Sequence, residues 1–150
     1  MSLEENKAIV RRFNQAYNRR NFDIFDELIA EDFVDHTHGI QGREDYKQLF
    51  IATFQGFPDW HESIETIIAE GDMVWAHILA TGTHTKEYDL FGIQFAPTGK
   101  KVTMSAVAIW RIIDGKIAES REVDDGVDFL RSLGLIEFTE KGKQFFLQDD

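Results

Sequence analysis

The sequence predicts an α+β fold in which three helices precede an antiparallel sheet. Apolar residues recur at helical spacing in the first third of the chain, and from about residue 60 they alternate with polar ones. Helices first and a strand meander second is the order of α+β folds rather than of alternating α/β folds. Three helices laid across one curved sheet would enclose a cone-shaped cavity. No linker, repeat or low-complexity tract interrupts residues 1–150, which we treat as one domain with residues 136–150 as a C-terminal tail.

The helical part begins with a capping box. Ser2 is followed three residues later by Glu5, and apolar residues then recur at helical spacing. Asn21 is the expected N-cap of a second, shorter helix. The three expected helices cover residues 3–19, 22–29 and 46–54.

The strand part is divided by tight turns. Glu70-Gly71-Asp72 and Asp114-Gly115-Lys116 are typical hairpin turns. Gly134 is expected to end a short helix that follows the last strand. The expected strands cover residues 63–68, 73–83, 101–113 and 117–124, with a brief extended piece at 33–37.

Composition excludes several classes of function. The formal net charge is −11, so phosphate backbones and anionic membrane surfaces are repelled and neither is an expected partner. The chain has no cysteine, which excludes disulfides, thiolate metal sites and a cysteine nucleophile. Neither a signal peptide nor an apolar run of ~20 residues is evident, so we expect a cytoplasmic location.

Several short motifs occur in a recognisable order along the chain. They are Phe33-Val34-Asp35-His36, Phe57-Pro58-Asp59, Gly82-Thr83-His84-Thr85, Phe91-Gly92-Ile93, Pro97-Thr98-Gly99-Lys100, Asp114-Gly115-Lys116-Ile117 and Leu133-Gly134. With these motifs, the chain resembles the SnoaL-like polyketide cyclases over roughly residues 4–135. The resemblance implies the cone-shaped α+β barrel of the nuclear transport factor two-like superfamily. It also implies a homodimer, and no metal or organic cofactor.

The same resemblance implies a catalytic residue. SnoaL-like cyclases close a polyketide ring by an intramolecular aldol reaction, using an aspartate at the position of Asp125. The sequence departs from the family pattern at Arg121, where an aromatic residue is usual, and at His77, where arginine is common. The loop at residues 86–91 is also bulkier and more polar than usual. These departures leave the substrate open.

Alternation along the last strand bears on the same aspartate. It places Glu119, Arg121, Val123 and Asp125 on one face and Ser120, Glu122 and Asp124 on the other. If the first face points inward, Asp125 enters the pocket as the catalytic base, and Arg121 pairs with a carboxylate there. Alternatively, Asp124 or Asp125 serves as the N-cap of the following helix.

Histidines supply the other candidate polar groups. His84 either lines the cavity mouth as an acid or hydrogen-bond donor, or lies on the surface. His77 suits a pocket wall, or is a satisfied core histidine. His36 is a candidate pocket residue. It shares a face with His38 if the segment is extended, but no third ligand is evident nearby, so we predict no metal site.

Aromatic residues indicate the kind of ligand. Trp60, Tyr88 and Trp110 are candidates to stack on a small apolar, planar or polycyclic compound, with Arg121 beside them. An apolar outer surface for dimerisation is expected from Val107 and Ile109 together with Ala76, Ile78 and Ala80.

Two functional hypotheses follow. One is a cofactor-independent cyclase, isomerase or dehydratase (lyase) in which Asp125 removes a proton next to a carbonyl group while His84 or a tyrosine stabilises the enolate. The alternative is a non-catalytic module that binds a small molecule or supports a partner protein. The sequence leaves open whether the chain is an enzyme.

Overall fold

A computed structural model of the chain describes residues 1–90 and 92–146. The helices are α1 (Leu3–Asn18), α2 (Phe25–Leu28), α3 (Arg43–Gly56), α4 (Val127–Ser132) and α5 (Glu140–Phe146), and a 3₁₀ turn covers Phe22–Ile24. The strands are β1 (Ile29–Asp35), β2 (Ile40–Gln41), β3 (His61–Glu70), β4 (Met73–Thr83), β5 (Tyr88–Leu90), β6 (Ile93–Phe95), β7 (Lys101–Ile113) and β8 (Lys116–Asp124). Phe91 of the family motif lies outside the described residues.

Six strands form one curved sheet that does not close, in the order β2-β1-β8-β7-β4-β3. The strands β5 and β6 form a separate hairpin. The predicted α+β class with helices on a curved sheet is confirmed. Two details differ from the prediction: β1 and β2 precede residue 60, and β1 pairs with β8 in parallel while the remaining pairs are antiparallel.

The first helix forms as its capping box predicts. Ser2 Oγ accepts a hydrogen bond from the Glu5 backbone N–H at 3.1 Å, and Glu5 Oε2 accepts one from the Ser2 N–H at 2.7 Å. The second helix is shorter than expected. Asn21 makes no side-chain cap bond there, and Ile29 has extended geometry and begins β1 instead of ending the helix.

The core lies between the helices and the concave face of the sheet. Val10 and Phe13 of α1 are buried there, and Tyr46 of α3 stacks on Phe33 of β1 with ring centres 4.1 Å apart. On β4 the buried residues are Val74, Ala76, Ile78 and Ala80. Aromatic side chains therefore fill the space that the sheet's curvature creates.

The convex face of the sheet is partly apolar, but not through all of the residues that the sequence suggested. Because Ala76, Ile78 and Ala80 point inward, the outward residues of β4 are Trp75, His77 and Leu79. Trp75 is 45% exposed. The expectation that the three inward residues form the outer surface is wrong by one position of strand alternation, whereas Val107 and Ile109 lie on the outer face as expected.

The C-terminal segment ends in a short helix that the sequence did not predict. Gly134 has a φ of +75°, which suits the end of α4. Phe138 stacks on Phe146 with ring centres 5.0 Å apart, and the side chains of Phe145 and Phe146 are exposed. Leu147 and the terminal aspartates lie outside the described residues. Within the described residues, every helix is too short or too polar to cross a membrane.

Candidate active site

A cavity of about 350 Å³ lies between helices α1 and α3 and the concave face of the sheet. Its walls are mainly aromatic: Phe13, Tyr17, Tyr46, Phe50, Trp60, Tyr88, Trp110 and Phe129. Trp60, Tyr88 and Trp110 were singled out from the sequence, and all three line the cavity. Their part in binding a ligand stays a prediction.

Two glycines leave room for two of these rings. A Cβ atom on Gly82 of β4 would lie 2.6 Å from Cε3 of Trp60, closer than a real contact allows. A Cβ on Gly56, the last residue of α3, would lie 2.6 Å from Cβ of Tyr88. Both glycines are therefore required by close approach, which fixes the two aromatic walls against the backbone.

An aspartate–histidine pair lies in the cavity wall where β1 ends. His38 Nδ1 lies 2.8 Å from Oδ2 of the buried Asp35. Oδ1 of Asp35 also accepts hydrogen bonds from the backbone N–H groups of Thr37 and His38, at 2.9 and 3.2 Å. The chain thus folds back at residues 36–39 as a turn around the carboxylate. The pair is held by local geometry, with Asp35 and His38 both facing the cavity.

Asp35 and His38 change each other's protonation. Burial opposes charge on Asp35, but hydrogen bonds from His38 and from the turn outweigh it, so the pKa of Asp35 is lowered. The hydrogen bond to Asp35 raises the pKa of His38, and the charges of Glu122 and Asp124 act in the same direction. His38 is therefore a cavity histidine that holds its proton to a higher pH than usual.

Glu122 of β8 lines the same cavity and is tied to the same turn. Its backbone N–H donates a hydrogen bond to Thr37 Oγ1 at 2.7 Å, and its carbonyl accepts one from that hydroxyl at 3.3 Å. Burial raises the pKa of Glu122 to about 7, and the charges of Glu62 and Asp124 add to the effect. At neutral pH, Glu122 is thus a carboxylate that readily takes and returns a proton.

A third carboxylate, Glu62 of β3, lines the cavity wall formed by α1 and β3. Trp60 Nε1 donates a hydrogen bond to Glu62 Oε1 at 3.1 Å, and the hydroxyl of Tyr17 is bonded to the same side chain. Burial raises the pKa of Glu62, although these hydrogen bonds lower it in part. Burial and the charge of Glu62 raise the pKa of Tyr17 well above its ordinary value. The cavity therefore holds two carboxyl groups with raised pKa values, Glu62 and Glu122.

The expectation that Asp125 faces the cavity is not met. Its side chain is exposed, and its Oδ1 accepts a hydrogen bond from the Ser105 N–H at 2.8 Å beside the end of β8. Asp124 lines the cavity instead. The cause is a bulge earlier in β8. Glu119 pairs with Arg111 and Ile117 with Ile112, so the intervening Ala118 has no partner of its own in β7. Ile117 and Ser120 are therefore both buried, and alternation from Ser120 onward puts Asp124, not Asp125, on the inward face.

His84 is buried, but away from the lining of the cavity. Its ring stacks on Phe57 with centres 5.0 Å apart, and its Nδ1 accepts a hydrogen bond from the Thr98 N–H at 3.3 Å. The His84 carbonyl also accepts a hydrogen bond from Gly99 N–H at 2.8 Å. Burial lowers the pKa of His84. In this position His84 fastens the loop before β7 to the end of β4.

The other predicted residues lie in different places. His36 is 3.7 Å from Glu119, whereas His38 contacts Asp35, so the two histidines do not share a face in an extended segment. His77 is exposed on the convex face, with Nε2 2.8 Å from Ser105 Oγ. Arg121 contributes to the cavity lining with an exposed side chain. Over residues 1–90 and 92–146, no three His, Cys, Asp or Glu side chains are grouped to hold a metal ion.

Sequence reasoning missed Asp35, Glu62 and Glu122 as site residues and considered His38 only as a metal ligand. One signal was available for Asp35. It follows Phe33 by two residues in an extended segment and precedes His38 by three, so it shares the face of a core residue at the start of a turn. Glu62 and Glu122 gave no such signal, because carboxylates on strands ordinarily face solvent.

The fold and the cavity define a protein of the SnoaL-like class, with a helix-covered curved sheet around one aromatic site. The SnoaL-like polyketide cyclase family matches residues 7–133, and the chain belongs to that family. A comparison with curated proteins finds no match.

Solved structures agree with this assignment. AclR from Streptomyces galilaeus, a proposed hydroxylase, is 28% identical with a TM-score of 0.77, over 93% of this chain and 87% of that one. IdmH from Streptomyces antibioticus, a proposed polyketide cyclase, is 28% identical with a TM-score of 0.70, over 86% and 98% of the two chains. A proposed polyketide cyclase from Bacillus cereus is 27% identical with a TM-score of 0.72, over 89% and 83%.

Proposed function

We propose that this chain is a cofactor-independent acid/base protein of the polyketide cyclase type, acting on a small carbonyl compound in the aromatic cavity. One observation carries the proposal: Glu122 and His38 line the same cavity, where burial raises the pKa of Glu122 to about 7 and the hydrogen bond to Asp35 raises the pKa of His38. AclR and IdmH bear names for different activities, so family membership alone does not select the reaction.

The proposed step divides the work between the two groups. The Glu122 carboxylate takes a proton from the carbon next to the carbonyl, and protonated His38 gives a proton or hydrogen bond to the carbonyl oxygen. The electron pair of the broken C–H bond forms the enol double bond, whose carbon then attacks a second carbonyl or is reprotonated. Asp35 orients the His38 ring through the 2.8 Å contact between its Oδ2 and Nδ1.

The test is exchange of the α-protons of 1-tetralone in D2O, followed by proton NMR with wild type and two variants. Glu122→Gln keeps the shape of the side chain and removes the base, so we expect exchange to slow at least ~100-fold. Asp125→Asn is the matched control, because that carboxylate lies outside the cavity, and exchange should stay within about twofold.

Two results would count against the proposal. Equal rates for wild type and Glu122→Gln, both above the buffer rate, would assign the chemistry to another group. No acceleration by any protein, together with saturable binding of the ketone, would make the chain a non-catalytic binding module.

A further inference from the structure

The cavity that the proposed function uses has an uneven charge. Among the described residues, four carboxylates contribute to its lining, Asp35, Glu62, Glu122 and Asp124, and the basic side chains in the lining are His38 and Arg121. His38 lies 2.8 Å from Asp35 and offsets that carboxylate. Arg121 has an exposed side chain. Asp124 is exposed as well, so Glu62 and Glu122 are left facing a largely aromatic space in which negative charge exceeds positive charge.

Carboxylates in such a space are costly unless something compensates them. Burial and mutual repulsion raise the pKa of Glu122, and burial raises that of Glu62. Glu62 accepts hydrogen bonds from Trp60 and Tyr17, but both donors are neutral. A cation brought into the cavity would therefore reduce the cost of keeping these carboxylates charged, whereas an anion would add to it.

The rings around these carboxylates favour the same kind of ligand. Tyr17 and Trp60 lie next to Glu62 in the cavity wall, and Tyr46 and Trp110 line the same cavity as Glu122. Aromatic faces attract ammonium groups, and the attraction is strongest where water is excluded. Flat rings also give a planar compound surfaces on which to stack. Acidic groups among aromatic rings are thus suited to a compound that is both planar and cationic.

We propose that the cavity selects planar ring compounds that carry a protonated amine and discriminates against those that carry a carboxylate. This inference rests on the proposed use of the cavity as a small-molecule site, and it narrows the substrate class to amine-bearing carbonyl compounds. The selectivity comes chiefly from Glu62 and Glu122, which are specificity-determining residues in this respect, with a smaller contribution from the exposed Asp124.

The test compares three naphthalene probes that differ in charge, measured by isothermal titration calorimetry at pH 8. The probes are 2-naphthylmethylamine, 2-naphthalenemethanol and 2-naphthoate. We expect the amine to bind with a Kd at least about tenfold below that of naphthoate, with the alcohol between them, because charges within a few ångströms interact strongly in a cavity. Stoichiometry should be one per chain, and the alcohol should compete with the amine.

Variants distinguish attraction of the amine by the cavity from attraction by the acidic surface of the protein. Glu122→Gln should reduce the amine-to-naphthoate ratio to below about threefold. Asp124→Asn removes one charge and keeps the side-chain oxygen that accepts the Gly126 N–H hydrogen bond. It should reduce the ratio by a smaller amount in the same direction, and it serves if the first variant folds poorly. Glu65→Gln removes the same charge from an exposed site on β3 and should leave the ratio unchanged.

Three results would overturn the inference: naphthoate binding as tightly as the amine, equal effects of Glu65→Gln and the two cavity variants, or no binding of any probe. The outcome is separable from the proposed chemistry. Charge selectivity that depends on Glu122, with proton exchange that does not, would leave this inference standing and remove Glu122 as the base.

Discussion

On the concave face of the sheet, carboxylates lie among aromatic rings, whereas on the convex face apolar side chains are exposed to solvent. Neighbouring residues of β8 show the contrast: Glu122 lines the cavity, and Val123 on the opposite face is 68% exposed. On β4, Ile78 is buried inside, while Trp75 and Leu79 are exposed outside. Each face departs from the usual distribution of polar and apolar residues.

The two departures have different physical consequences. A partly buried carboxylate costs stability unless a proton, a hydrogen bond or a ligand offsets it, so the concave face indicates chemistry or binding. An exposed apolar patch costs little in the isolated chain but favours association, so the convex face is our candidate interface for the expected homodimer. The following predictions test whether the two faces can be changed independently, from the largest expected effect to the smallest.

The largest effect should come from pH acting on the concave face. Because burial raises the pKa of Glu122 to about 7, the carboxylate protonates as pH falls below that value. Proton exchange of 1-tetralone should therefore slow about 100-fold between pH 8 and pH 5, since only about 1% of the base remains ionised. Val123→Ala, on the convex side of the same strand, should show an unchanged profile. A flat profile in wild type would contradict the assignment.

Displacing the Trp60 ring should have a smaller effect than the change in pH. Gly82→Ala places a methyl group 2.6 Å from the ring of Trp60, so Trp60 or β4 must shift. We expect a loss of about 1–3 kcal/mol in the free energy of unfolding, measured with urea, and weaker binding of planar probes. Thr81→Ala, at the neighbouring outward position, should cost less than ~1 kcal/mol. An equal loss in the free energy of unfolding for both variants would show that the Trp60 ring can shift without strain, which would contradict this prediction.

Glu122 should also make stability depend on pH. Its folded pKa of about 7 exceeds the ordinary value of 4.5, so its favourable contribution is complete below pH 4.5 and is lost as pH rises through 7. Glu122→Gln should therefore raise the free energy of unfolding at pH 8 by on the order of 2 kcal/mol relative to wild type, with no gain at pH 4.5. Glu65→Gln should show neither effect, and a destabilised Glu122→Gln at pH 8 would contradict the prediction.

The smallest effect on the fold should come from the convex face. The family resemblance implies a homodimer, and Trp75 and Leu79 supply exposed apolar area for it. Replacing Trp75 and Leu79 together by glutamate should convert a dimer of the 17.3 kDa chain to monomer in sedimentation experiments at micromolar concentration. Binding of the naphthalene probes should remain within about twofold. A wild-type protein that is monomeric under the same conditions would contradict the expected homodimer.

Much of the fold could be predicted because its signals are local. The capping box at Ser2 and Glu5, the turn at Gly71 and the turn at Gly115 fix where elements begin and end, and β4 and β7 have the predicted bounds. The site could be predicted for its aromatic wall and for Arg121, but not for its carboxylates. Trp60 and Trp110 are large and apolar, so burial at a cavity is their ordinary position.

The sequence by itself determined the α+β class, most of the elements and the family, because each depends on residue periodicity and on motifs close together in the chain. Only the tertiary structure decided which acidic residues form the site. Alternation divides β8 into two faces but does not say which is inward, and the unpaired Ala118 shifts the parity between Ile117 and Ser120, both of which are buried. Glu122 consequently lines the cavity and Asp125 does not, since pairing with β7 sets the direction of each side chain.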